Sequence, residues 1–280
     1  MHRLIITCLI VNLVFSSRGQ IISGQVVDAK TQEPLPYVHI GVPGKNMGTI
    51  SRHNGEFHID LSKASKDESL SFSMVGYETN AIAITTIEGN YLKVSLTPKT
   101  YLLQEVAVND SEIINLQKFG RYQPTKTTTG HSGKGEFGWG GEWGLRIYHN
   151  KLRYQIYDVN LHLRFNTVDS ILFRINIYEL DGNLPGQPIP EKEIFVTAYK
   201  REKWIKKDLV SENLIVDEDI IVTFELVRIW YSGKGENHLF YTHGKGYERG
   251  GTYSRESSFD KWAVDKRPPI TLFVSGRVFE

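Results

Sequence analysis

Short runs of alternating apolar and polar residues recur through the first third of the chain. In the run Ser69 to Val75, Leu70 and Phe72 alternate with serines, which is the period-two pattern of a half-buried strand. The same alternation is found in Glu56 to Leu61 and in Tyr91 to Leu96. Glycine, proline, asparagine and aspartate cluster between these runs, where they favour turns. Because no helical period is sustained, the pattern predicts a small sandwich of about seven strands.

Alternation resumes in the second half of the chain. It is clear from Tyr157 to Phe165 and from Ile171 to Ile177. The run Ile220 to Trp230 is apolar on both faces, which is typical of a central strand that is covered on both sides. The stretch between the two halves is rich in glycine and threonine, which indicates an exposed connector. The predicted architecture is all-β, with a sandwich at residues 20–109, a linker and glycine-rich loop at 110–144, and a second, jelly-roll-like sandwich at 145–280.

The first nineteen residues have the pattern of a signal peptide. Arg3 provides the positive start, Leu4 to Phe15 form a short apolar core, and Ser17 and Gly19 are small residues suited to a cleavage site. A membrane span needs roughly 18 or more apolar residues, and Asn12 interrupts this run. We therefore expect cleavage and export to the periplasm, the outer-membrane surface or the medium, with no transmembrane helix in the mature chain.

Composition removes several classes of function. The single cysteine, Cys8, lies in the predicted signal peptide, so the mature chain would have neither a disulfide nor a thiol nucleophile. The formal net charge of +1 becomes about −1 once Arg3 and Arg18 are removed, and acidic and basic residues are mixed along the chain. Nucleic acid is not an expected partner, because no basic stripe is present. No cofactor is expected either.

Five segments of the N-terminal region occur in an order that is specific to one family. They are Gly24 to Asp28, Thr31 to Pro36 with Val38 and Ile40, Gly48-Thr49 followed by Gly55 to Phe57, Leu70 to Tyr77, and Leu103 to Val108. In this order they resemble the carboxypeptidase regulatory-like domain, a transthyretin-like (prealbumin-like) sandwich. The resemblance implies a non-catalytic module, found beside zinc carboxypeptidases and at the start of exported Gram-negative envelope proteins. Further along, residues 173–227 resemble the jelly-roll accessory modules of surface and glycan-processing proteins in their strand pattern.

Histidines provide two candidate metal patterns, and neither predicts a site. His53 and Glu56 have the HxxE spacing of zinc carboxypeptidases, but an Asn-Gly reversal separates them, and zinc needs three ligands on a rigid scaffold. His39, His58 and His162 fall on the polar faces of their predicted strands, so we expect solvated or edge positions. Since no nucleophile is paired with a base either, the sequence predicts that the protein is not an enzyme.

Tryptophan provides the candidate ligand-binding residues. All five tryptophans lie beyond Asn109. We take four of them as candidates, because exposed aromatic rings bind sugar faces or hydrophobic protein surfaces. These are Trp139, Trp143, Trp204 and Trp262. The alternative is that the rings fill the ends of the second sandwich.

Taken together, these patterns predict a non-catalytic envelope or cell-surface protein with a binding or assembly role. The first domain would be a spacer or docking domain, and the second would recognise a polysaccharide or a protein. Two alternatives remain open. Residues 131–280 could form a small outer-membrane β-barrel, or the protein could be an accessory subunit of a carbohydrate- or peptide-processing system.

Overall fold

The computed structural model of the protein describes residues 21–99, 116–133, 140–149, 152–245, 251–265 and 269–279. The predicted signal peptide, residues 1–19, lies outside these ranges. Strands contain 60% of the residues and helices 3%, so the predicted all-β class is confirmed. The described helices are two single turns, Ile84–Thr86 and Val210–Glu212. Within the described ranges, a helix capable of spanning a bilayer is not found.

The N-terminal region is a sandwich of two small sheets. Its strands are β1 (Ile21–Asp28), β2 (His39–Gly41), β3 (Gly48–Ile50), β4 (Glu56–Asp60), β5 (Ser69–Ser73), β6 (Asn80–Ala83) and β7 (Tyr91–Leu96). One sheet has the order β4-β1-β7 and the other has the order β3-β2-β5-β6. Phe57 of the first sheet and Phe72 of the second meet in the core, with ring centroids 5.5 Å apart. The predicted seven-stranded sandwich is therefore confirmed.

The remaining strands form a second, larger sandwich. They are β8 (Leu116–Gly120), β9 (Gln123–Gly133), β10 (Glu142–Ile147), β11 (Tyr154–Asn166), β12 (Ser170–Asp181), β13 (Leu184–Pro188), β14 (Ile194–Tyr199), β15 (Trp204–Asp208), β16 (Ile215–Val216), β17 (Ile220–Trp230), β18 (Asn237–Lys245), β19 (Thr252–Arg255), β20 (Ala263–Asp265) and β21 (Leu272–Val278). The inner sheet has the order β13-β12-β17-β10-β19-β20, with β14 also paired to β12. The outer sheet has the order β8-β21-β11-β18-β9, with β15 and β16 paired to β11. Phe173 and Phe224 of the inner sheet pack with Leu161 and Leu272 of the outer sheet in one core.

Part of the predicted linker, residues 110–144, belongs to this second sandwich. β8 pairs with β21, and β9 pairs with β18, so both are strands of the outer sheet. β10, which begins at Glu142, pairs with β17 in the inner sheet. These pairings correct the prediction of an exposed connector. Threonines at Thr125 and residues 127–129 are β-branched and fit a pleated strand, and this preference outweighs the signal from the surrounding glycines.

The N-terminal sandwich packs on the face of the inner sheet that points away from the outer sheet. We call this face the outward face of the inner sheet. The N–H of Gly44 donates to the carbonyl of Phe259 at 2.8 Å, and the rings of Tyr37 and Phe195 lie 5.7 Å apart. β17 therefore has the common core on one face and the N-terminal sandwich on the other, and it lies between β12 and β10. The prediction of a central strand covered on both faces is confirmed.

Candidate functional site

A β-bulge on β17 shapes the surface where the two sandwiches meet. The register between β12 and β17 shifts after Leu172, so that one extra residue, Val227, is inserted in β17. Residues on the inward side of the strand pack into the core on both sides of the bulge. As a result Glu225, Arg228 and Trp230 all project from the outward face. Without the bulge, strict alternation would place Glu225 on one face of the sheet and Arg228 and Trp230 on the other.

Four charged residues stand in one row across the outward face of the inner sheet. Arg174 of β12 is opposite Glu225 of β17, Glu225 is opposite Glu142 of β10, and Glu142 is opposite Arg255 of β19. His39 of β2 approaches this row from the N-terminal sandwich, and Glu193 approaches from the residues before β14. We call these six residues the buried charge cluster. Side chains directly opposite one another on neighbouring strands lie close together, so the register itself brings the charges together.

Arg174 joins the two sandwiches through this cluster. Its side chain is 1% exposed. One guanidinium nitrogen donates to the main-chain carbonyl of Tyr37, and the other donates to Nε2 of His39. The same guanidinium lies 3.2 Å from Glu225 Oε2 and 3.5 Å from Glu193 Oε1. Breaking such a fully buried pair by removing one partner costs about 3–5 kcal/mol, because the remaining charge is left without compensation.

Glu142 is held by partners from three strands. The Nε of Arg255 donates to its Oε1 at 2.7 Å. The hydroxyls of Thr223 and Tyr178 donate to its Oε2 at 2.7 and 3.0 Å. The guanidinium of Arg255 also lies 4.8 Å from the ring centroid of Trp262. This end of the cluster is therefore a hydrogen-bonded ion pair with its acceptors in use.

The cluster contains three carboxyl groups and two guanidinium groups. Burial raises the pKa of Glu225 to about 7, and burial also raises the pKa of Glu193. Burial and the neighbouring charges of Arg174 and Arg255 lower the pKa of His39 well below its usual value. If Glu225 holds a proton, the two remaining carboxylates balance the two guanidiniums, and the net charge of these five groups is zero. The arrangement therefore favours a neutral imidazole beside a carboxyl group that holds its proton near neutral pH.

One set of residues in the described part of the chain has the spacing of a metal site. Ligand atoms of His39, Glu142 and Glu225 lie within 4.8 Å of one another. The guanidinium of Arg174 contacts two of these residues and that of Arg255 holds the third. A divalent cation there would be repelled by both guanidiniums. The charges thus favour an ion-pair network over a metal site.

The HxxE residues lie elsewhere. His53 and Glu56 are exposed at the turn into β4, and the N–H of Arg52 donates to the carbonyl of Glu56 at 2.7 Å. Gly55 has φ of 75° in this turn. The pair is thus part of a reversal, as the sequence indicated.

A groove, which we call the aromatic groove, follows the junction between the two sandwiches. Residues 37, 49–53, 57 and 58 form one wall, and residues 227–230 of β17 form the other. Its volume is about 460 Å³, which is within the range of small-molecule sites. The Trp230 side chain is 38% exposed, and the guanidinium carbon of Arg228 lies 4.5 Å from its ring centroid. Both sandwiches therefore contribute to the walls of this ligand-sized space.

A second groove, with a volume of about 400 Å³, borders the buried charge cluster. His39, Tyr178, Arg255 and Trp262 are among the residues that line it. The rings of Tyr178 and Trp262 are 5.9 Å apart and close to perpendicular. This groove opens onto side chains that already have partners in the cluster.

The structure does not bring together the three predicted tryptophans that it describes, Trp143, Trp204 and Trp262. Trp139 lies outside the described residues. Trp143 packs against the core of the second sandwich, with its ring 6.1 Å from that of Tyr241. Trp204 is 41% exposed on the outer sheet, beside Phe273, whereas Trp262 directly precedes β20 of the inner sheet.

Sequence reasoning missed the residues that meet at the junction. His39 is half-buried and His162 is buried beside Thr242, so the prediction of solvated or edge positions is wrong for both, while His58 is exposed as expected. Trp230 was not among the candidates. The signal available in the sequence was the pair Arg228 and Trp230, which stand two residues apart at the end of an otherwise apolar run.

Comparison with known protein families concerns the first of the two sandwiches. A family model described as CarboxypepD_reg-like domain matches residues 22–108. The N-terminal sandwich is a CarboxypepD_reg-like domain. Such domains are non-catalytic regulatory or binding modules. Of the segments that carried the resemblance, Leu103 to Val108 lies outside the described residues. In a search of curated proteins, no sequence matches the chain.

The motif residues of the CarboxypepD_reg-like domain have structural roles. Oδ1 of Asp28 accepts the N–H groups of Lys30 and Thr31 at 2.6 and 2.9 Å, and Oδ2 accepts the hydroxyl of Tyr77 at 2.9 Å. Asp28 therefore fixes a turn and ties it to the other sheet. Burial and this hydrogen bond raise the pKa of Tyr77 to about 12. These contacts stabilise a scaffold, which fits a non-catalytic module.

Proposed function

We propose that this protein is a non-catalytic, exported binding protein of the cell envelope, in which the CarboxypepD_reg-like domain completes the recognition surface of the second sandwich. The observation that carries the proposal is the aromatic groove. One of its walls comes from the CarboxypepD_reg-like domain and the other from β17. Neither domain alone would enclose this space, so the first domain acts as a docking domain rather than as a spacer.

The buried charge cluster supports a fixed docking of the two domains. Arg174 has hydrogen bonds to both Tyr37 and His39 across the junction and ion pairs within its own sandwich. An exposed ion pair contributes little, but a buried network with defined geometry specifies one arrangement. A fixed arrangement keeps the walls of the groove at a constant separation, which is what a pre-formed binding site needs.

Recognition is assigned to Trp230 in this proposal. An exposed indole beside a cationic guanidinium offers both an apolar face and a charge to a polysaccharide or a protein partner. Trp204 is equally exposed but lies on the outer sheet, away from the junction. The two tryptophans therefore form a matched pair for a binding experiment.

The experiment compares the purified mature protein with Trp230→Ala and Trp204→Ala variants. Each is immobilised and exposed to a glycan array and to envelope extract from the source cells. We expect Trp230→Ala to lose binding by at least tenfold and Trp204→Ala to bind like the wild type. Equal binding by all three proteins would exclude the aromatic groove. Export is tested separately, by fractionating cells that produce the tagged full-length chain, and a purely cytoplasmic product would refute the proposed location.

A further inference from the structure

We propose that the aromatic groove binds an acidic polysaccharide, in which sugar rings carry carboxylate groups. This inference rests on the proposed function and specifies the ligand class of the same groove. The charge of the walls, the position of Trp230 and the short strand edges beside it support this ligand class.

The charge of the groove has one sign. Arg52, His53 and His58 line one wall and Arg228 lines the other, and the described residues of both walls include no aspartate or glutamate. Among the described residues, neither Arg52 nor Arg228 forms an ion pair, whereas Arg174 and Arg255 at the junction do. Two unpaired guanidiniums that face one space from opposite walls match a ligand with carboxylate groups, since this pairing can be bidentate.

The acidic residue beside Trp230 does not neutralise this charge. The N–H of Asp169 donates to the carbonyl of Trp230 at 2.9 Å. However, its carboxylate accepts the N–H of Ser232 at 2.6 Å and lies 3.6 Å from Nζ of Lys200. Asp169 is therefore already compensated and leaves the groove cationic.

The shape of the walls favours a sugar over a peptide. A peptide commonly binds by adding a strand to a free sheet edge. Two edge strands border the groove, β3 with three residues and β4 with five, so each offers few backbone hydrogen bonds. The flat ring of Trp230 instead suits the C–H face of a sugar, and the volume of about 460 Å³ accommodates a short oligosaccharide.

Binding of defined trisaccharides to the full-length mature chain tests the proposal. The probes are the trimers of galacturonate, mannuronate and glucuronate, the neutral trimer of galactose, and a tetra-glutamate peptide, measured by calorimetric titration at low and high salt. We expect at least one uronate trimer to bind at least tenfold more tightly than the neutral trimer and the peptide. Higher salt should weaken that binding.

Matched variants locate the site. Arg52→Gln combined with Arg228→Gln should weaken uronate binding at least tenfold and reduce its salt dependence. Arg164→Gln is the control, because Arg164 also lies over a ring, that of Phe165, but on the outer sheet. Unchanged binding by the double variant would overturn the assignment to this groove, as would no binding of any uronate.

The outcomes separate this inference from the proposed function. If the neutral trimer or the peptide binds as tightly as the uronates and Trp230→Ala abolishes that binding, the acidic class is wrong but the groove is a binding site. If Trp230→Ala changes no binding on the array, in the extract or in the titrations, the proposed function itself fails.

Discussion

His39 of the N-terminal sandwich and Glu225 of the second sandwich meet at the junction. Nε2 of His39 lies 3.4 Å from Oε2 of Glu225, and it also accepts a hydrogen bond from Arg174. This contact leaves the imidazole proton on Nδ1, 3.1 Å from Oγ of Ser258. Burial raises the pKa of the carboxyl group to about 7 and lowers the pKa of the imidazole. The two groups thus respond to pH in opposite directions.

Glu225 and His39 should change the free energy of unfolding in opposite directions as the pH rises. Folded Glu225 keeps a proton that the unfolded group loses near pH 4.5, so its contribution, roughly 3 kcal/mol, is lost as the pH rises towards 7. Folded His39 stays neutral where the unfolded group is charged below 6.5, so its contribution is present above pH 6.5 and is lost as the pH falls. Between pH 4.5 and 6.5 the two trends offset each other in the wild type.

Two single substitutions separate these trends. Relative to the wild type, Glu225→Gln should gain stability as the pH rises from 5 to 7, and His39→Gln should lose stability over the same interval. The measurement is the free energy of unfolding by urea at each pH, with the exposed Glu56→Gln as the control for a charge change. Glu193 also has a raised pKa. Because it is present in every protein compared, its effect on stability cancels when each variant is compared with the wild type. Parallel curves for the two variants would contradict the assignment.

The strand β3 meets the second sandwich through a glycine. A Cβ atom added to Gly48 would lie 1.9 Å from the carbonyl oxygen of Ser258, and the three atoms nearest to it would all belong to the main chain of Ser258. Gly48 belongs to the family motif, but its contact is with the other sandwich. We infer that Gly48 is needed for the close approach of the two sandwiches rather than for the fold of its own sandwich.

Gly48→Ala should therefore destabilise the docked protein more than its own domain. In the mature chain the clash is with main-chain atoms, which cannot move aside cheaply, and a loss of about 2 kcal/mol or more is expected. In a fragment of residues 20–109, the same change should cost less than about 1 kcal/mol, since an alanine fits an ordinary strand. Thermal unfolding of both forms measures the difference, and equal losses would show that Gly48 acts within the CarboxypepD_reg-like domain.

The burial of a side chain could be predicted from the sequence where it follows from a local pattern. It could not be predicted where it depends on a partner that is distant in the sequence. Phe57 and Phe72 alternate with polar residues and lie in the predicted core. His39 also sits at a polar position of its strand, yet it is covered by Arg174, which is 135 positions away in the sequence. The same reason explains Glu225, a charge in an apolar run whose partners come from β12 and β2. Periodicity describes one sheet face and carries no information about what will cover it.

At the scale of the whole molecule, the two larger hydrophobic cores of the described residues are joined by a charged junction. One core lies within the CarboxypepD_reg-like domain and the other between the inner and outer sheets. Each sandwich therefore has its own source of stability, and the contacts of Arg174, Gly44 and Tyr37 couple them. The strength of that coupling decides whether the chain unfolds in one step or in two.

Calorimetry of the wild type and of Arg174→Met tests this coupling. The wild type should unfold in a single transition, because separating the sandwiches would expose the buried charge cluster. Arg174→Met removes the residue that contacts both domains and leaves Glu225 and Glu193 without their cation, at a cost of about 3–5 kcal/mol. We expect two transitions in this variant, one for each core. Arg146→Met is the control, since it removes an ion pair with Asp219, 2.7 Å long, that lies within the second sandwich. Two transitions in the wild type, or one in Arg174→Met, would mean that the cluster does not couple the domains.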